Sequence, residues 1–202
     1  VYGNLPTPTR EGYTFKGWHG RNYYNYQDTA LVTNGFSTDN NGWITLNTTN
    51  NTGEFSNYYT HNLNVQVNTT YMVVLETREI TNFRGTLKLT STQNSTAGQN
   101  WQFNNKTINS SNLFSNSVNI YNVATTSTFA GNYGLRTYYK NVQDENEQYY
   151  TDTVLTFRIS VLDVDDSITE ETFKYEPYYI TSSTNVAQTQ NHTLTAIWEP
   201  NS

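Results

Sequence analysis

Val154–Val164 is the stretch that most narrows what this chain can become. Leu155, Phe157, Ile159 and Val161 alternate along it with Thr156, Arg158 and Ser160, the period-2 pattern of a strand with one face packed. Shorter runs of the same kind lie at Leu31–Val32, Trp43–Leu46, Leu63–Val67, Thr70–Glu79, Thr86–Thr90, Trp101–Phe103, Val118–Val123 and Leu135–Tyr139. Turn clusters such as Thr38–Gly42 separate them. Tyr71–Leu75 is apolar at both parities, which places that strand near the centre of a sheet. No window reads as a helix. Many short strands at this spacing predict an all-β sandwich.

Composition decides whether such a polar sequence folds at all. Only 14% of residues are charged, against about 25% in an ordinary globular chain, and Asn, Thr, Ser and Gly are abundant. The chain nevertheless carries 17 Tyr, 9 Phe and 4 Trp along its whole length, the apolar area that disordered segments lack. There is no cysteine, so disulfides, thiol catalysis and Cys-ligated metals are excluded. A chain of 202 residues can bury an adequate core without covalent staples. A net charge of −6 with 11 basic residues argues against a nucleic-acid partner. The longest apolar run, Met72–Leu75, is too short for membrane insertion in this segment.

Both ends carry a motif. Residues 2–18 read YGNLPTPTREGYTFKGW and residues 191–198 read NHTLTAIW. Pro6 and Pro8 hold an extended backbone, while Tyr13, Phe15, Trp18 and Trp198 supply rings to a unit with little other apolar surface. Together the two segments resemble the halves of one listeria–bacteroides repeat, the internalin-type B repeat. Leu5, Pro6, Pro8, Gly12, Tyr13, Phe15, Gly17 and Trp18 match the first half, and Thr193, Leu194, Ala196 and Trp198 the second. The resemblance implies an extracellular location, at the surface or wall of a bacterial cell, with neighbouring domains of the same surface protein as partners. The repeat's first strand is reduced to Val1, so the chain reads as a piece of a longer protein. On this reading residues 1–22 and 180–202 form one small β-grasp-like unit into which residues 23–179 are inserted. The two halves are expected to pair, with Trp18 and Trp198 in one small core remote from that of the insert.

The insert carries a second resemblance. LVTNGFSTDNNGW at residues 31–43 and LTFRISVLDVDDSITEETFKYEPYY at residues 155–179 resemble the opening and closing segments of jelly-roll carbohydrate-binding modules of the family 4/9 type. This implies a jelly-roll β-sandwich, and with it a structural calcium between first and last strands. Ser37 stands where the family has an acidic ligand, leaving Asp39 to substitute, with Asp163 and Asp165 as further oxygen donors. The acidic run from Asp163 lacks the spacing of a calcium loop and reads better as an ordinary solvated turn.

His19, His61 and His192 are scattered without metal spacing, and no nucleophile or phosphate-binding motif is present, so the chain is not read as an enzyme. Binding is better motivated. A pyranose offers an apolar C–H face and a hydroxyl rim, and an outward ring beside polar groups fits both. With Val118 and Ile120 inward on one strand and Leu135, Thr137 and Tyr139 inward on another, Tyr121, Tyr138 and Arg136 would share a polar sheet face. Trp101 would stand at its edge, and Glu76 and Arg78 would supply hydrogen bonds. The expected function is recognition of a glycan or host-surface molecule for adhesion; the alternative is a stalk domain that only spaces other domains.

Overall fold

The computed structural model describes residues 1–25, 32–39, 41–47, 57–65, 70–92, 106–122, 131–164, 177–188 and 190–201. In chain order its strands are β1 (Tyr13–His19), β2 (Tyr23–Asn25), β3 (Val32–Asn34), β4 (Phe36–Thr38), β5 (Ile44–Leu46), β6 (Asn57–Val65), β7 (Thr70–Thr81), β8 (Thr86–Thr92), β9 (Lys106–Asn109), β10 (Val118–Asn122), β11 (Gly131–Lys140), β12 (Val154–Val164) and β13 (Thr195–Pro200). The helical content of the described residues is one 3₁₀ turn at Ser110–Asn112. The protein is all-β, a sandwich of antiparallel sheets. One sheet runs β10-β7-β12-β5-β4, with β2 also paired to β12; the facing sheet runs β3-β6-β11-β8-β9. The expected strands Leu31 and Trp101–Phe103 lie outside the described residues.

β12 organises the first sheet. Its whole length pairs with β7, and its other edge is shared between β5 at Thr156–Phe157 and β2 at Ser160–Leu162. Alternation sends Leu155, Phe157, Ile159 and Val161 inward, where they meet Leu87, Leu89 and Tyr139 of the facing sheet in one core. Full burial of each such side chain contributes roughly 1.5–3 kcal/mol. β7 lies between β10 and β12, and Tyr71–Leu75 are buried on both faces. On the outer face Met72 and Leu162 pack under Tyr23 and Ile120.

The phase of β10 is the reverse of that expected. Tyr121 is 9% exposed and belongs to the core, whereas Val118 is 38% exposed and Ile120 packs on the outer face. A strand with apolar groups at both parities gives no sequence signal for its phase. The larger ring goes where it buries more area, and a shift of one residue exchanges the faces. β11 has the expected phase, with Thr137 and Tyr139 buried and Arg136 and Tyr138 partly exposed on the outside.

The two ends of the chain form a third, two-stranded sheet. β1 pairs with β13, with a register shift between Phe15 and Gly17. Trp18 and Ile180 exchange backbone hydrogen bonds of 3.1 and 2.8 Å. Tyr2 and Gly3 donate to the carbonyls of Thr184 and Ser182 at 2.9 and 3.0 Å. Phe15 meets Trp18 and Trp198 edge-on at 5.5 and 5.6 Å. Trp18 and Trp198 are only half-buried, and their sheet lies against the sandwich rather than remote from it. Gly17, at φ +130°, lets the backbone pass close to Tyr179 and Ile180: a Cβ there would stand 3.3 Å from both.

Two core positions give opposite tests of the packing. Gly85 lies against β11 so closely that a Cβ would fall 2.1 Å from the Lys140 carbonyl oxygen and 2.8 Å from the Tyr139 ring. Gly85→Ala should destabilise by at least about 1–3 kcal/mol, as overpacking does. Thr137, fully buried, has a hydroxyl with no hydrogen-bond partner among the described residues. Thr137→Val removes that desolvated group and should stabilise by about 1 kcal/mol. Urea unfolding measures both, and changes of the same sign would contradict the packing described.

Candidate functional site

Arg158 and Ser160 point outward on β12, yet they are not solvated. Arg158 is 7% exposed and Glu76, its cross-strand neighbour on β7, is 8% exposed. They form an ion pair through Arg158 Nη2 and Glu76 Oε1, and Tyr179 donates its hydroxyl to Glu76 Oε2 at 2.6 Å. Arg158 Nη1 reaches across to Glu199 Oε1 of β13 at 3.0 Å, and the same oxygen accepts the Trp43 indole N–H at 3.2 Å. Trp43 is held by the turn before β5, where Asp39 Oδ1 accepts from the backbone N–H groups of Asn41 and Trp43 at 2.8 and 3.0 Å. Two guanidinium carbons stand over its ring, Arg78 at 3.9 Å and Arg158 at 4.2 Å from the centroid, an arrangement favoured by the negative ring face. Burial disfavours the charge of Arg158, but Glu76, supported by Tyr179 and Glu199, more than offsets it and holds the guanidinium above its usual range. Burial, reinforced by the Glu76 charge, pushes the Tyr179 hydroxyl well above the ordinary phenol range.

Two clefts open along the seam where the two-stranded sheet meets the sandwich, and Glu199 is a wall of both. The first, about 370 Å³, is lined by Tyr13, Tyr23, Tyr178 and Trp198 rings together with Asn41 and Ser160. The second, about 360 Å³, lies on the other side of Glu199 among Lys16, Trp43, Arg78, Asn116 and Tyr179. Both fall at the small end of the volumes that bind ligands.

His19 closes the floor of the first cleft. Its Nδ1 lies 2.6 Å from the Tyr178 carbonyl, so it carries the proton and donates, and the rings of Tyr178, Tyr23 and Tyr179 stand 4.3, 4.6 and 5.5 Å away. Burial lowers its pKa from 6.5 to about 4; the Tyr178 carbonyl opposes this and the Arg158 charge adds to it.

The structure does not gather the site residues expected from sequence into one platform. Arg136 and Tyr138 face outward on β11, with Arg136 Nη1 donating to the Tyr138 hydroxyl at 2.9 Å. Tyr121 is turned into the core, and Lys106 sits 5.3 Å from its ring. Glu76 and Arg78 belong to β7 in the opposite sheet, so they cannot serve the Arg136–Tyr138 face, and they join the seam instead. Trp101 and Asp165 lie outside the described residues. Of the calcium candidates, Asp39 is exposed and uses Oδ1 to form its own turn, and the backbone of Asp163 pairs with Tyr71 on β7. Among the described residues no three acidic or histidine side chains group as a metal site. Sequence reasoning missed Trp43, Arg158, Tyr179 and Glu199. Only Arg158 carried a signal, a charge in the middle of a long half-buried strand.

No protein-family model matches the chain, and no curated protein matches it. The resemblances of the chain ends and of the insert therefore rest on their motifs. The chain is similar to a solved chain from a structure called "CBM4 structure and function", with a TM-score of 0.41 and 9% identity over 70% of this chain and 85% of that one. Among the described residues no helix is long and apolar enough to cross a membrane.

The depressed pKa of His19 sets a pH dependence. The unfolded chain takes up a proton near pH 6.5 while the folded chain refuses it until about pH 4. Stability from this group is thus fully present above 6.5 and is lost as the pH falls towards 4, by roughly 3 kcal/mol in all. His19→Gln keeps a donor for the Tyr178 carbonyl but cannot titrate. Urea midpoints measured across that window should fall more steeply for the parent than for His19→Gln, and parallel curves would show that His19 is not held neutral.

Proposed function

We propose that the chain is a non-catalytic extracellular binding module of a bacterial surface protein, and that it recognises a glycan in the first seam cleft. One observation carries the reading: four aromatic rings and fixed polar groups line a single cleft of sugar dimensions, with Tyr13, Tyr23 and Trp198 beside Asn41, Ser160 and Glu199. Rings stack on the C–H face of a pyranose, and the polar groups match its hydroxyl rim. The carboxylates at the seam support a binding role over a catalytic one. Both oxygens of Glu76 already accept hydrogen bonds from Arg158 and Tyr179, and Glu199 Oε1 accepts from Trp43 and Arg158. Stacking contributes about 1 kcal/mol per ring beyond area burial, so affinities fall in the micromolar to millimolar range.

A specific observation favours the alternative of a stalk domain. The same network fastens the chain ends to the sandwich, as a rigid spacer requires. A glycan array followed by calorimetry separates the two readings. Tyr13 is partly exposed and its ring lies under Arg10 at 3.7 Å, so Tyr13→Ala should leave the fold intact while weakening binding about fivefold or more, the loss of one stacked ring. Tyr138→Ala, on the far sheet, should not change binding. If Tyr138→Ala abolishes binding and Tyr13→Ala does not, the outer face of β11 is the site; if no glycan binds, the stalk reading stands.

A further inference from the structure

The second cleft differs from the first in carrying underused positive charge. In a chain of net charge −6, the second cleft is lined by Lys16 and Arg78 together with Glu76 and Glu199, and both of those carboxylates are already engaged by Arg158 of the neighbouring cleft. Arg158 is spent: both terminal nitrogens are bonded to carboxylates within the buried network. Arg78 and Lys16 are not. Arg78 meets an acidic group only at 3.5 Å, Lys16 only at 3.8 Å, and both meet the same carboxylate, Glu199. Their side chains remain 45% and 39% exposed. Lys16 Nζ makes no hydrogen bond among the described residues, and most N–H groups of Arg78 find no acceptor there. Arg78 is also held in place, because its guanidinium carbon lies over the Trp43 ring, 3.9 Å from the centroid. A guanidinium held against a ring with N–H groups to spare can meet an oxyanion through two parallel bonds, a geometry that an ammonium group cannot reproduce.

We propose that the second cleft binds the charged oxygens of an acidic sugar, with Arg78 as the fork and Lys16 as a supporting charge. This rests on the glycan-binding reading above and extends it to the ligand class: a chain whose neutral ring occupies the first cleft and whose anionic residue reaches past Glu199 into the second. Carboxylate and sulfate present the same pair of oxygens to the fork.

The test uses the whole chain and three probes: a uronic-acid hexasaccharide, its methyl ester and a sulfated neutral hexasaccharide. Esterification removes the charge and little else. At low salt the acid should bind about tenfold tighter than the ester, the value of one bidentate charge-assisted contact, and the difference should shrink as salt rises. Arg78→Gln should bring the acid down to the ester's affinity, Arg78→Lys should retain only part of the preference, and Lys16→Gln should reduce it severalfold. Thermal melting checks that each variant is folded. Tight binding of the sulfated probe supports recognition of the oxyanion in general; weak binding assigns the cleft to carboxylates. Equal affinity for acid and ester, or a preference that survives Arg78→Gln, overturns the inference while leaving glycan binding intact. If none of the three binds at millimolar concentration, both the inference and the glycan reading fall.

Discussion

The ion pair between Arg158 and Glu76 sets the terms on which the rest of this molecule is built. Removing two charges from water costs several kcal/mol per ion, and the cost is offset only when every remaining donor and acceptor is satisfied. The sandwich alone does not satisfy them. Glu199 arrives from β13, Trp43 from the turn before β5 and Tyr179 from the segment that precedes Ile180. Each is distant in sequence from Arg158, and each is brought in by a different element. A charge placed in the middle of β12 therefore requires the chain ends to fold back over the sheet, since without them it would face water from within a half-formed pocket.

What covers that charge also explains why the seam has clefts. The covering residues are mainly planar rings: Tyr13, Tyr23, Tyr178, Tyr179, Trp43 and Trp198. Rigid rings between a short two-stranded sheet and a twisted six-stranded one meet at edges and angles. His19 is ringed by three of them and two guanidinium groups stand over Trp43. Aliphatic side chains would close such a junction to the density of an interior. Rings held by specific polar contacts leave space between them, and that space is lined by groups suited to sugars.

The sandwich was legible because its evidence is periodic. The bounds of β12 and its inward residues follow from alternation alone, as do the faces of β11, and the interior place of β7 follows from apolar residues at both parities. Alternation has nothing to say where both faces of a strand are packed, which is why Tyr121 and Ile120 exchange places relative to expectation. The candidate site was hidden for the same reason. Arg158 and Ser160 read correctly as pointing away from the core, but in a sequence "away from the core" reads as solvent. Here the outward face is buried again under the chain ends. Glu76 and Arg78 stand out as ligand-binding groups, yet nothing in their spacing tells that they lie in the sheet opposite Arg136 and Tyr138. That depends on the pairing of β7 with β12 and of β11 with β6 and β8, which are tertiary choices.

Because joint and clefts are made of the same residues, a mechanical role and a binding role would be coupled rather than separate. A ligand lying across Glu199 would touch β1 and β13 on one side and β7 and β12 on the other, so it would bind only the closed seam and stabilise it by mass action. Conversely, tension that drew β13 away from the sandwich would take Glu199 from Arg158 and Trp43, and would dismantle the walls of both clefts at once. The buried pair of Arg158 and Glu76 would then be left with its desolvation only partly offset, which gives the closed seam a strong restoring preference. The contacts that close the seam are thus the same ones that shape both clefts.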